Sequence, residues 1–205
     1  MQVTYRKFRA MPKVIVIGAG GHGRSVAESI LAQPASAGFE LVGFVDDAFP
    51  KLTSVWEYPV LGDTKQLSSL LGIADAAIVA IGNNKLREKL QLELVSIGFT
   101  LVSVIHPSAI VSPSAIVGKG TAIMAGAIVG TEAILGDGVI VNSGAVVDHH
   151  CTVENFGHLG VGAAMAGGSH LGAGAWMQAN AALGYGAVLT KNEVLMPGEC
   201  RTVLS

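Results

Sequence analysis

Two short segments of the chain gather the residues best able to do chemistry. The first is DHHC, Asp148 to Cys151, which sets two adjacent histidines between an acid and a thiol. A histidine with its ordinary pKa near 6.5 takes a proton from a nucleophile at neutral pH without carrying permanent charge, so an outward histidine here is a candidate general base. The second is GAGGHGRS, in which Gly18, Gly20 and Gly23 match G-x-G-x-x-G between a strand and a helix, with His22 and Arg24 at the helix start. Such a turn points backbone N–H groups at an anion. Asp46 and Asp47 close the following strand, FELVGFVDD, as a ribose-binding acid would. Taken alone, the turn suits a dinucleotide. A nucleotide diphosphate fits the same turn in so short a domain, and the glycines could also serve strand–helix packing. Of the other histidines, His106 precedes Pro107 and reads as structural. His158 and His170 share one register.

The elements that must position DHHC are written in the spacing. Sixteen hexapeptides run without insertion from Val104 to Glu199, each with an aliphatic second residue, from Ile105, Val111 and Val117 through to Leu195. A period of six is neither helical nor a two-faced strand. It predicts a parallel β-helix in which each hexad makes one face and three hexads close a triangular coil. The aliphatic residue points inward, and the residue two before it is small, as at Ala127, Ala145, Cys151 and Ala163. Glycines just after the aliphatic position, such as Gly118, Gly136, Gly160, Gly172 and Gly184, are expected to supply turn flexibility. Cys151 falls on an inward small position and reads as core filler. His149, two residues past Val147, falls on the outside of its coil. Five coils at about 4.8 Å spacing give a prism roughly 25 Å tall.

Residues 1–101 follow a different pattern. KVIVIGAGGHGRSVAESILA reads as strand, turn and helix; FELVGFVDD and ADAAIVAIGNN as strands; DTKQLSSLLG and KLREKLQLELVSIG as helices. The alternation predicts a small Rossmann-like α/β unit with a ligand at the strand carboxyl ends. Residues 102–205 form the prism. With 14 % charged residues and a net charge of −2, no basic face suggests nucleic acid or membrane. Residues 1–10 read as a loose extension with Met11 an alternative start, and the basic–apolar opening as a buried first strand instead of a leader. Two cysteines cannot make a disulfide framework, so a reduced, cytoplasmic protein is expected.

The GAGGHGRSV turn, the VGFVDD and AIGNN strand ends and a hexapeptide prism containing VVDHHC together resemble the sialic-acid O-acetyltransferase and bacillosamine-type nucleotide-sugar N-acetyltransferase family. The resemblance implies an α/β N-terminal Rossmann-like domain followed by an all-β left-handed parallel β-helix. It also implies acetyl-CoA as co-substrate, no metal, a homotrimer, and a nucleotide-linked 4-amino-dideoxy sugar for bacterial surface glycans. Under it the small domain holds the sugar nucleotide through Gly18, Gly20, Gly21, His22, Asp46 and Asp47, and Asn142 lies near the sugar amine. His149 is the general base of a direct transfer, and His158, Gly167 and Gly184 meet acetyl-CoA. The family places a carboxylate directly after this histidine, where this chain has His150; Asp148, Glu154 or an acid of a neighbouring subunit is left to orient His149. The tail PGECRTVLS also departs from the family pattern. Sugar O-acetylation, a nicotinamide-dependent oxidoreductase using the GAGGHG turn, a metal-dependent prism enzyme and a non-catalytic scaffold are the alternatives.

Overall fold

The computed structural model describes residues 11–34 and 38–203, so the expected extension at 1–10 lies outside the described residues. The first half is a four-stranded parallel sheet. Strand β1 (Lys13–Ile17) is central, with β2 (Glu40–Val45) on one side and β5 (Ala76–Val79) then β6 (Thr100–Leu101) on the other. Val14 to Ile17 are all buried because helices or prism cover both sheet faces, which is why the run VIVI does not alternate. A small hairpin, β3 (Ser54–Val55) and β4 (Tyr58–Pro59), was not foreseen. The segment expected to be helical at Thr64–Leu70 is a 3₁₀ helix, begun by Asp63 accepting from the Lys65 amide.

Helix α1 (Gly21–Leu31) buries Gly23, Val26, Ala27 and Ile30. Helix α2 (Asn84–Ile97) starts at Asn83, whose side chain accepts from the Leu86 amide, and stops at Gly98 with φ 112°. Its buried stripe mixes two chemistries. Leu90 and Leu94 face the sheet core, whereas Arg87 and Gln91 reach the prism.

The prism comprises seventeen two-residue strands, β7 (Val104–Ile105) to β23 (Cys200–Arg201), in parallel sheets of six, six and five. Each strand pairs with the one eighteen residues on, as in Ile140↔His158 and His158↔Trp176. The second-position aliphatics from Ile123 to Leu195 and the small sixth-position residues, Cys151 among them, form one continuous core. The third-position glycines have a different cause from the one expected. None has positive φ; instead a Cβ on Gly118 would lie 2.4 Å from the Gly136 backbone, and one on Gly160 2.8 Å from Gln178. They are glycine because the next coil passes too close. The left-handed backbone sits two residues later, at the fifth position, from Gly120 (φ 65°) to Gly198 (φ 71°). Among the residues other than glycine there are Glu132 (56°) and His150 (58°).

One prism face is covered by the α/β domain. Its outward residues Val104, Ala122 and Ile140 are buried, two of them in the same cluster as Val14, Val26 and Phe44. The other two faces expose aliphatics, Ile110 and Ile128 on one, Ile116, Ile134 and Val188 on the other. Arg87, itself fully buried, fastens the junction. Its Nε donates to Gly138 O at 2.7 Å and Nη2 to Phe156 O at 2.8 Å on the prism, while Nη1 donates to Ile81 O at 2.9 Å. Asn84 and Gln91 add bonds to Gly174 O and Gly120 O, so α2 lies along one prism corner.

The two glycine classes should separate in denaturation experiments. Gly160→Ala drives a methyl into the next coil's backbone and is expected to cost about 2–3 kcal/mol. Gly144→Ala, at a fifth position with open space around it, should cost only the left-handed strain, roughly 1 kcal/mol.

Candidate functional site

A cavity of about 370 Å³ opens at the carboxyl ends of β1, β2 and β5. Its walls include Gly18, Gly20, Gly21, His22, Asp46, Asp47, Thr64 and Gly82, so six of the seven expected substrate-binding residues converge. Asn142 does not join them; it sits on a prism corner, its side chain accepting from the Ser143 amide. The glycines divide by cause. A Cβ on Gly23 would strike Gly18 O at 1.9 Å, and one on Gly18 would meet Ala80 O at 2.9 Å, so both are demanded by packing. Gly20 and Gly21 have nothing within 4 Å and leave the helix N-terminus bare for a ligand. No acidic side chain occupies the first turn of α1, and Gly20 offers no side-chain cap.

The two acids are engaged with the protein. Asp46 accepts from the Ala19 amide at 2.7 Å and from Ala48, which braces the glycine turn. Asp47 accepts from the Thr64 amide and hydroxyl, and these bonds hold its carboxyl below the usual range. Asp46 therefore organises the turn, in contrast to a dinucleotide fold whose acid is free for a ribose.

The cavity floor meets the prism at a buried polar cluster that the sequence did not reveal. His22 is pushed down to about 4 by burial and then by the Arg87 charge. His158 is pushed down to about 3, chiefly by burial, then by Arg87 and His22, against the opposing effect of a hydrogen bond with the Gly82 backbone. Burial also lowers Arg87, to about 10, which leaves it charged at neutral pH. His158 stacks on Trp176, one coil on, with ring centroids 5.3 Å apart and 14° between planes. His22 Nε2, His158 Nδ1 and Trp176 Nε1 are buried without hydrogen-bond partners among the described residues. His158 thus lies on the covered face, whereas Gly167 and Gly184, expected to share its ligand, lie along another sheet and its corner.

That corner carries DHHC. The His149 ring lies against Gly167, one coil above, where a Cβ would come within 2.5 Å of Nε2, and near Tyr185, two coils above, at 6.4 Å between ring centroids. Nδ1 of His149 is 2.9 Å from Nδ1 of His150, and His150 Nε2 is 2.9 Å from Glu132 Oε2, one coil below. Asp148 accepts from the His149 amide at 2.7 Å, its other oxygen 3.8 Å from His149 Nε2. Glu154 is taken by His170 at 2.9 Å and the Ala173 amide. His106 is held by Ser108. Cys151 is buried in the core and Cys200 is exposed, both as free thiols. Among the described residues no three His, Cys, Asp or Glu side chains converge as a metal site, and no helix is long and apolar enough to cross a membrane. Glu132, Trp176 and Tyr185 were missed, although counting eighteen from His150, His158 and Gly167 finds them.

Neutral burial of His22 and His158 has a sign. Unfolded, each titrates near 6.5 and binds protons that the folded chain excludes, so stability falls as pH drops below about 6.5 toward the folded values. Between pH 7 and pH 5 each should remove about 2 kcal/mol. Thermal melts of His158→Phe, which keeps an aromatic on Trp176, should show a stability loss on acidification smaller by about that amount than the wild type.

Comparison with known proteins agrees with this architecture. Residues 13–94 match the PglD N-terminal domain model. A curated relative, UDP-N-acetylbacillosamine N-acetyltransferase of Bacillus subtilis (strain 168), is 33 % identical over 103 residues, 49 % of this chain and 46 % of that protein, so the match spans about half the length of that curated relative. The solved structure of PerB from Caulobacter crescentus in complex with CoA and GDP-perosamine is 37 % identical, with TM-score 0.79, covering 93 % of this chain and 92 % of that one. The acetyltransferase domain of PglB from Neisseria gonorrhoeae FA1090 in complex with acetyl coenzyme A is 38 % identical, with TM-score 0.71, covering 94 % and 96 %. Near-complete coverage of both domains in such relatives, together with the hexapeptide prism and the bare-glycine cavity, makes this chain a member of the bacillosamine-type N-acetyltransferase family, built as a small α/β domain followed by a left-handed β-helix.

Proposed function

We propose that the chain transfers the acetyl group of acetyl-CoA to the amine of a nucleotide-linked 4-amino-dideoxy sugar, with residues 1–101 holding the nucleotide and residues 102–205 the co-substrate and the base. The observation that carries the proposal is the pairing of two features in one chain. One is a strand-end cavity with a bare helix N-terminus at Gly20 and Gly21; the other is an outward histidine, His149, over a glycine groove. The helix amides suit a diphosphate. His22 is neutral, so it contributes a polar ring nitrogen, Nε2, that is without a partner among the described residues.

Acetyl-CoA supplies a thioester carbonyl. His149 takes the proton that the amine loses as its nitrogen bonds to that carbonyl carbon; the carbon–sulfur bond breaks and the thiolate departs, with no covalent enzyme intermediate. Gly167 makes this placement possible, since any side chain there would displace the His149 ring.

The site is completed by a second copy. The α/β domain covers one prism face, and His149 stands at the corner opposite that face, on the order of 15 Å across. A cavity on one side and a base on the other cannot share a substrate within one chain. A C3 homotrimer brings a neighbour's His149 corner to the cavity edge and covers exposed aliphatics such as Ile110, Ile116, Ile128 and Ile134.

Three measurements test the proposal. His149→Ala should cut kcat by about 10² to 10⁴ in a free-thiol assay with UDP-, GDP- and dTDP-linked 4-amino sugars, with the fold retained. Unaltered turnover would remove His149 from the chemistry. His22→Ala should raise the KM for the sugar nucleotide more than that for acetyl-CoA; equal effects argue against separate pockets. Sedimentation should give a trimer, and a stable active monomer would exclude the shared site.

A further inference from the structure

The identity of the group that orients His149 follows from the hydrogen-bonding capacities of its neighbours. Ionised Glu132 can only accept, so His150 Nε2, at 2.9 Å, must carry the hydrogen. With one ring hydrogen, held at Nε2, His150 has its lone pair on Nδ1. Its partner there among the described residues is His149 Nδ1 at 2.9 Å, which in that tautomer carries the hydrogen. The lone pair of His149 is thereby confined to Nε2, the nitrogen over Gly167. Asp148 does not do this, because one of its oxygens takes the His149 amide and the other lies 3.8 Å from Nε2, not Nδ1.

The backbone at both relay positions is left-handed. Glu132 and His150 occupy the fifth position of stacked hexads, where φ is 56° and 58° and where most coils have glycine. A side chain there costs roughly 1 kcal/mol over glycine. That cost is borne twice, one coil apart, on the corner beside His149, and also at Phe156, Asn180 and Asn192 on the other corners.

We propose that Glu132 and His150 are positioning residues that form a carboxylate–imidazole–imidazole relay, fixing His149 as the Nδ1–H tautomer and steadying the imidazolium it becomes. The inference rests on His149 being the base. The charged and titratable groups facing the pair are Glu132 from the coil below, Asp148 beside it and Tyr185 from above. When His149 gains a proton at Nε2, both its nitrogens carry hydrogen, His150 still accepts, and Glu132 balances the charge through His150.

Glu132→Gly and His150→Gly give the corner the residue that the next two coils use there, at Gly168 and Gly186, so folding is preserved and thermal melts should show no loss. Two readouts separate a relay from a merely structural role. Nitrogen-15 NMR of the histidine rings in the full-length protein should show His149 as predominantly the Nδ1–H tautomer, shifting to a mixture in Glu132→Gly. In the thiol-release assay with acetyl-CoA and the 4-amino sugar nucleotide that turns over, Glu132→Gly should lower kcat about 10- to 100-fold, as loss of a tautomer-fixing partner does. The KM values should change little. In a His150→Glu background, which contacts His149 directly, Glu132→Gly should cost nothing. An unchanged tautomer and unchanged kcat in Glu132→Gly overturns the relay, as does an equal loss in both backgrounds. Full activity of His149→Ala instead overturns the assignment of the base.

Discussion

Everything in the prism follows from one ladder, in which the backbone of each coil hydrogen-bonds to the coil eighteen residues away. Parallel in-register pairing stacks each residue on its counterpart, so the inner surface is a set of aliphatic columns and the outer surface a set of functional ones. His149, Gly167 and Tyr185 form one such column; Glu132 and His150 form another, and His158 with Trp176 a third. The ladder also explains the two kinds of glycine. Third-position glycines let the next coil pass, and fifth-position residues turn the corner in the left-handed region. A ring as large as imidazole can lie flat on the corner only because the residue above it has no side chain.

The α/β domain is bound to this ladder through a buried cation that has no carboxylate among its described partners. Arg87 is satisfied by carbonyls and an amide oxygen, and those groups come from both domains. Breaking a buried charge's hydrogen bonds is costly, so the junction is specific in orientation even where its apolar contacts are interchangeable. The same charge acts on the chemistry of the cavity floor. It adds to burial in disfavouring protonation of His22 and His158, so the His22 ring that lines the cavity is neutral. Ile81 and Gly82, which line the cavity, are also Arg87 acceptors, so the shape of the cavity and the docking of the domains are mechanically linked.

The cavity shows how one motif serves different ends. In G-x-G-x-x-G the first and third glycines are required by packing, because helix α1 lies almost on Gly18 O. Gly20, with Gly21 beside it, is free of packing demands and opens the helix end. Asp46 spends its carboxylate on the turn itself. These assignments separate the turn from a dinucleotide fold whose acid is free for a ribose, and leave the amides at the start of α1 uncapped by any side chain.

The sequence by itself determined the repeat, its inward column, the outward position of His149 and the strand–turn–helix at Gly18 to Ser25, because these depend on local periodicity and on steric rules that act along the chain. It also contained the column partners: Glu132, Trp176 and Tyr185 are each eighteen residues from a residue already singled out, and Arg87 and Gln91 interrupt the apolar stripe of α2. Only the tertiary structure decided which prism face the α/β domain covers, and with it that His158 is buried at the junction while His149 stays exposed at the far corner. His158 and His170 open hexads in the same register, so the local pattern does not tell the buried ring from the partly exposed one. The difference is made by the docking of a separate domain, through hydrogen bonds between residues as distant as Arg87 and Phe156. Only the structure, too, assigned the acids. The distances assign Glu132 to His150 and Glu154 to His170. They leave Asp148 on the His149 amide and Asp46 on the glycine turn.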